Sequence, residues 1–216
     1  MVRGTLFNNP NFYWDMSVMG SFNKNKVTAL TAESDEITGT YLIKVGMPIY
    51  TYYLPKSAGV DPLTGNQLYW AYEKMEEDGT VVGEYITSDY SKAASSRYYQ
   101  GSRAPKLSGS ISTSFRIFKD FDLAILTTYS IGGKILESSY ASSMNATYIG
   151  DTWNKAILRR WQKPGDVTDV PMVEIGGSYT TTDRFLIDAS YFTIKNITLG
   201  YSLPKRLAEK INASNS

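Results

Sequence analysis

The chain contains neither cysteine nor histidine. Without cysteine there is no disulfide framework, no thiolate nucleophile and no thiolate metal ligand. Without histidine there is no Ser-His-Asp triad, no His-bearing zinc site and none of the commonest general bases. Neither sign of charge is in excess. The 22 Lys+Arg and 21 Asp+Glu leave a net +1 over 216 residues, so no global field draws in nucleic acid. No run approaches the roughly 20 apolar residues of a membrane helix. The opening residues, Met-Val-Arg-Gly-Thr-Leu-Phe-Asn-Asn, lack the apolar stretch of a secretion signal. Either the protein stays inside the cell or its front end is missing.

What is present is aromatic. Seventeen Tyr, eight Phe and four Trp are a heavy load. It suits the interfacial girdles of a membrane barrel, stacking platforms for sugars, or the aromatic strands of an ordinary β-sandwich. The mean hydropathy of −0.27 looks soluble. Membrane barrels look the same, because every second residue of their strands faces the lumen.

Periodicity separates these readings. In residues 107–117, Leu107, Ile111, Phe115 and Ile117 share one face, while Ser108, Ser110, Ser112, Ser114 and Arg116 share the other. Residues 121–131 repeat the pattern with the same parity: Phe121, Leu123, Ile125, Tyr129 and Ile131 against Asp122, Thr128 and Ser130. A tilted transmembrane strand needs roughly 9–11 residues, and both segments fit. Directly opposed residues share a face, so odd must pair with odd across the hairpin. That requires the three-residue loop Phe118-Lys119-Asp120, with Ile117 opposite Phe121 and Phe115 opposite Leu123.

Three further strands are expected. Residues 12–22 alternate, with Phe12, Trp14, Met16, Val18 and Phe22 on one face. Residues 46–54 form an aromatic and β-branched run with Pro48 near its start. Residues 191–201 place Tyr191, Thr193, Ile197, Leu199 and Tyr201 together, and Lys195 interrupts that face. A lipid-facing lysine at the bilayer midplane would cost about 2–4 kcal/mol. Inverted parity, a snorkelling position near an interface, or an oily side that is not lipid-facing there would each remove the conflict. Leu203-Pro204 stops the strand, and Lys205–Asn212 reads as a short helix. Between the strands, 55–105 and 132–190 read as long loops rich in turn signals such as Asp61-Pro62, Thr64-Gly65 and Asp78-Gly79. One very short connection beside two long ones describes an outer-membrane barrel, with the long loops extracellular. The expected fold is all-β: about five long strands of a larger antiparallel up-and-down transmembrane β-barrel. The alternative is a soluble β-sandwich module that binds carbohydrate.

Several local motifs carry a resemblance. They are Ala58-Gly59-Val60-Asp61-Pro62-Leu63-Thr64-Gly65; Pro105-Lys106-Leu107-Ser108-Gly109; Phe121-Asp122-Leu123; Arg160-Trp161-Gln162-Lys163-Pro164-Gly165-Asp166 before Thr168-Asp169-Val170-Pro171; and Ser190-Tyr191-Phe192-Thr193-Ile194-Lys195-Asn196-Ile197-Thr198-Leu199-Gly200-Tyr201-Ser202-Leu203-Pro204. In order and spacing they resemble the C-terminal barrel region of SusC/RagA-type TonB-dependent outer-membrane transporters, over roughly residues 11–212. The resemblance implies a 22-stranded barrel with an N-terminal plug in the outer membrane of a Gram-negative bacterium. It implies import of oligosaccharides or peptides, a SusD-like lid lipoprotein, energy from the TonB complex, and contact with outer-membrane lipid. It also implies that the plug, the TonB box and the early strands lie outside this sequence. Met1 then reads as an internal methionine or an artificial start.

Candidate site residues are few. Tyr69, Trp70 and Tyr72 in the first long loop, and Tyr148 and Trp153 in the second, suit ligand stacking or docking against the lid; packing within the loops explains them as well. Asp61, Asp166 and Asp169 lack the one-three-five oxygen spacing of a calcium loop and fit turns. Glu73, Glu76, Glu77 and Asp78 resemble a glycosidase acid/base pair only in charge, and read as a solvated face. No cofactor, metal site or catalytic constellation is expected.

Overall fold

The computed structural model describes residues 1–31, 35–145, 150, 152–174 and 181–204. The expected helix at 205–212 lies outside the described residues. Two compact units appear. One comprises Met1–Asn23, Pro105–Gly132 and Ala189–Ser216; the other comprises Lys24–Ala104 and Gly133–Asp188. The strands in chain order are β1 Val2–Asn9, β2 Phe12–Phe22, β3 Glu36–Thr38, β4 Tyr41–Ile43, β5 Thr51–Val60, β6 Gln67–Ala71, β7 Lys74–Met75 and β8 Val81–Val82. They continue as β9 Tyr85–Thr87, β10 Arg97–Ser102, β11 Leu107–Ile117, β12 Phe121–Ile131, β13 Lys134–Leu136, β14 Leu186–Asp188 and β15 Tyr191–Tyr201. Two short helices, α1 Tyr90–Ser95 and α2 Ser138–Ser143, accompany them with two 3-10 turns.

The first unit is one antiparallel sheet in the order β1-β2-β11-β12-β15. The β11–β12 register sets Ile117 against Phe121 and Phe115 against Leu123, as the parity argument requires. Phe118 and Lys119 adopt positive φ of 51° and 67° to make the three-residue connection. The β1–β2 connection is the pair Pro10-Asn11, where the Asn9 carboxamide accepts the N–H groups of Asn11 and Phe12. Ile117 pairs with Phe12, so both tight turns lie at one end of the sheet. The chain leaves for its two long excursions at the other end, after Phe22 and after Ile131.

One sheet face gathers Phe7, Phe12, Trp14, Met16, Val18, Leu107, Ile111, Phe115, Leu123 and Ile125. Each of these residues is half-buried or exposed. Phe22 and Leu199 each keep 73% of their surface, and Ile197 keeps 60%. Among the described residues of this unit the buried ones are polar: Asp15, Thr127 and Ser130. A soluble sandwich would bury the apolar face instead.

Polar atoms on that oily face find partners within the sheet. The Trp14 indole N–H donates to the Thr113 hydroxyl at 2.8 Å, and that hydroxyl donates to the Asp15 carbonyl at 3.3 Å. The Thr127 hydroxyl donates to the Ile111 carbonyl at 3.1 Å. The Tyr129 hydroxyl donates to the Met19 carbonyl at 3.2 Å. Its ring crosses the paired Gly109 and Gly20, and a Cβ on Gly109 would collide with the Met19 carbonyl and the Tyr129 phenol. Internal satisfaction of this kind is what a hydrocarbon solvent demands. The opposite face carries the ion pairs Arg3–Asp15 at 3.1 Å and Arg116–Asp122 at 2.8 Å.

Three expectations need correction. The run 46–54 is not a long sheet strand. Residues 45–50 make turns, Tyr50 takes φ 57°, and β5 begins only at Thr51, in the second unit. The fifth strand of the long sheet is β1 instead. Its alternation is hidden because the pairing shifts between Thr5 and Phe7, leaving Leu6 as an extra residue. Second, 55–105 and 132–190 are not irregular loops; they hold short strands, helices and a core.

Third, Lys195 does not sit in a row of constant parity. The β12–β15 pairing shifts between Leu126 and Thr127: Leu126 faces Asn196, but Thr127 faces Ile194. Lys195 is the extra residue of a bulge. The oily row therefore runs Phe192, Ile194, Ile197, Leu199, Tyr201, and Tyr191 and Thr193 join the polar face. Parity switches within the strand, a solution that differs from uniform inversion.

The second unit is built around β5. Its first half pairs with β4 on one edge and β10 on the other, and its second half pairs with β6, which pairs with β9. Tyr52, Leu54, Tyr69, Ala71, Ala93 and Tyr98 are buried there. A second cluster, Ala141, Met144, Ile157, Val170 and Phe185, packs within Gly133–Asp188, against Leu136, Tyr140, Ala156 and Val173.

Candidate ligand and partner site

The candidate aromatic residues separate by burial. Tyr69 points from β6 into the core, 5% exposed, with its ring edge-on to Tyr90. Tyr72 is half-buried. Its hydroxyl donates to the Arg97 carbonyl at 2.7 Å and its ring stands at 85° to Tyr98. Burial pushes the Tyr72 phenol up from its ordinary value, so at neutral pH it is a donor. Both tyrosines serve packing. Trp70 is half-buried and Trp153 is 38% exposed. Tyr148 lies outside the described residues.

Trp70 belongs to a constellation that linear reading missed. Lys56 faces Trp70 across the β5–β6 ladder, with Nζ 5.0 Å from the Trp70 ring and 5.0 Å from the Tyr98 ring. The same ammonium pairs with Glu84 at 3.4 Å, and the Tyr98 hydroxyl donates to Glu84 at 2.9 Å. Burial, then the Glu84 bond, raises the Tyr98 phenol. The residues come from β5, β6, β10 and the β8–β9 connection, so only folding joins them. Chemically the cluster offers one indole face beside a paired cation and carboxylate, which suits stacking and hydrogen bonding to a polar ligand and supplies no nucleophile.

The aspartates are committed elsewhere. Asp61 accepts the Leu63 N–H at 2.9 Å and the Thr64 hydroxyl at 2.6 Å, bonds that hold its carboxyl below the usual range. Asp166 accepts the N–H groups of Gln162 and Lys163 at 3.1 Å each. Asp169 lies in a bend and is the bidentate partner of Arg159, at 3.1 and 2.8 Å, which lowers its carboxyl. Glu76 pairs with Lys74, and Asp78 caps the Thr80 N–H, in the small β7–β8 hairpin. Among the described residues no group of three or more acidic side chains is placed to hold a metal ion.

Two of the sequence motifs meet in space. The Trp161 indole lies against Gly65, at φ 77°, where a Cβ would strike its ring. Its N–H donates to the Pro62 carbonyl at 2.9 Å, the Gly165 N–H donates to the same carbonyl at 2.8 Å, and the Met172 N–H donates to Gly65 at 2.9 Å. Asp183 is a further residue without a sequence signal. It accepts the Ser57 N–H at 2.7 Å and the Gln100 amide at 3.3 Å, and burial pushes its carboxyl up.

No known protein-family profile matches the chain. Two curated proteins of Formosa agariphila (strain DSM 15362 / KCTC 12365 / LMG 23005 / KMM 3901 / M-2Alg 35-1) are similar: TonB-dependent receptor P39, 23% identical over 96% of this chain and 24% of its own length, and TonB-dependent receptor P3, 23% identical over 94% and 21%. The chain thus spans about a quarter of the length of these relatives. Among solved structures, the RagAB peptide importer in its closed-closed state superposes with a TM-score of 0.77 at 23% identity, covering 95% of this chain and 22% of that one. The RagAB peptide transporter gives 0.77 at 24% identity, and the open-open state of the importer 0.71 at 24%, each with the same coverage. At such identity the structural likeness is one of fold, and it identifies the five-stranded sheet as part of a barrel. What this chain is similar to, along nearly its whole length, is a segment of a TonB-dependent outer-membrane transporter of the SusC/RagA type.

Proposed function

We propose that the chain forms part of the barrel wall of an outer-membrane importer in a Gram-negative bacterium. Its tight turns face the periplasm and its two excursions face outward. The carrying observation is the unburied oily face of the sheet, whose polar atoms are satisfied internally. The cargo is an oligosaccharide or a peptide, a SusD-like lipoprotein forms the lid, and the TonB complex supplies energy through parts of the transporter beyond this sequence. The chain does no covalent chemistry in this reading. Trp70, beside Lys56 and Glu84, and Trp153 are the residues that contact cargo or lid.

The cysteine-free sequence makes the test direct. Single cysteines at Ile125 and at its neighbour Ala124 are labelled in lipid vesicles. A fluorophore at Ile125 is quenched by spin-labelled acyl chains, while Ala124 reacts with a water-soluble maleimide. Equal behaviour at both sites, or a monodisperse monomer without detergent, overturns the membrane reading. In the complete transporter, Trp70→Ala and Trp153→Ala reduce uptake or lid binding; unchanged values remove the site assignment alone.

A further inference from the structure

We infer that the described residues of the two excursions, Lys24–Ala104 and Gly133–Asp188, open and close as one body, because the second is clasped to a single spine of the first at three places. The spine is β5 with the turn that follows it. At its start the Tyr52 hydroxyl accepts the N–H of Leu136 at 3.2 Å, and Tyr41 donates to that hydroxyl at 3.1 Å. Five residues on, β10 has stopped pairing with β5 at Pro55, and the Ser57 amide goes to the Asp183 carboxylate at 2.7 Å instead. The other oxygen of Asp183 takes the Gln100 amide of β10 at 3.3 Å, so one carboxylate bridges two strands. Five residues further, the Pro62 carbonyl accepts both Trp161 and Gly165, and Gly65 accepts Met172 beneath the indole.

Each partner is stiff in itself. β5 is held along its length by β4, β10 and β6. The second excursion carries its own core of Ala141, Met144, Ile157, Val170 and Phe185, and its ends are zipped by the β13–β14 ribbon. Two stiff pieces joined at three points along one line cannot release one clasp while the others keep their geometry. Opening is then a shared event. A ligand or partner held by either excursion moves both.

Hydrogen–deuterium exchange on the full chain in detergent tests this. Asp183→Ala removes the middle clasp. It speeds exchange at Leu136, Gly165 and Met172 by one common factor, about tenfold or more given the loss of charge-assisted bonds, while the sheet amides of Ile111 and Ile125 keep their rates. Trp161→Ala does the reverse, speeding Ser57 and Leu136 together. If Asp183→Ala speeds only Ser57 and leaves Leu136, Gly165 and Met172 at wild-type rates, the excursions open separately and the proposal is wrong. Should the sheet amides also lose protection, Gln100→Ala removes one of the two Asp183 bonds and is judged by the same criterion.

Discussion

The long sheet and the excursion unit distribute their apolar side chains in opposite ways. In the excursions, Tyr52 and Phe185 are 2% exposed, and the Tyr52 hydroxyl and the Asp183 carboxylate are hydrogen-bonded. In the sheet the buried residues are Asp15, Thr127 and Ser130, while large apolar side chains such as Phe22, Ile197 and Leu199 stay exposed. The difference lies in where the polar half of each strand faces. Ser108, Ser110, Ser112, Ser114 and Arg116 take one face of β11, and Ile111, Phe115 and Ile117 on the other face are not buried.

The comparison is sharpest under substitution. Phe185→Ala destabilises the excursion unit by about 3–5 kcal/mol, the cost of an aromatic cavity, and leaves exchange in the β11–β12 ladder unchanged. Ile125→Lys costs about 2–4 kcal/mol in lipid vesicles, whereas Ser112→Lys on the other face costs little. Urea titrations of the two variants measure this. Equal costs would mean that both faces meet the same solvent. Gly109→Ala forces the Tyr129 phenol and the Met19 carbonyl away from the strand, for about 1–3 kcal/mol by overpacking, read as a lower urea midpoint.

The smallest expected effect is electrostatic and belongs to Asp183. Burial raises its carboxyl in the folded state, with the Ser57 N–H, Lys56 and Lys134 pulling the other way. A raised acid binds its proton more tightly when folded. Its contribution to stability is therefore full below the ordinary carboxylate value and is lost as pH rises through the elevated one. Asp61, Asp78 and Asp169 are lowered and act oppositely, losing stability as pH falls. Asp183→Asn keeps an oxygen for the Ser57 amide and removes the charge. Subtracting its pH–stability curve from that of the parent leaves a difference that declines with rising pH; a rising difference would show that Asp183 is stabilised as the anion.

Much of the sheet was legible because period-2 alternation survives wherever a strand is regular. The hairpin from Leu107 to Ile131 was readable down to its register, since an odd loop is the only way to keep oily residues opposite one another. Legibility stopped at the bulges. Leu6 and Lys195 each shift the parity of their strand, so β1 was invisible and Lys195 looked like a stray charge. The site was barely legible. Trp70 stood out as an aromatic, but Lys56, Glu84 and Tyr98 meet it through three separate strand pairings.

The sequence by itself showed that the long strands carry one oily and one polar face, because side chains alternate along any extended strand. It also settled the chemistry that is absent, through the missing histidine and cysteine. Tertiary structure decided where parity breaks, that the excursions share a spine in β5, and that Asp183 lies against Ser57 across 126 positions of chain. Those outcomes rest on contacts between distant residues, and local pattern carries no record of which distant partner will arrive.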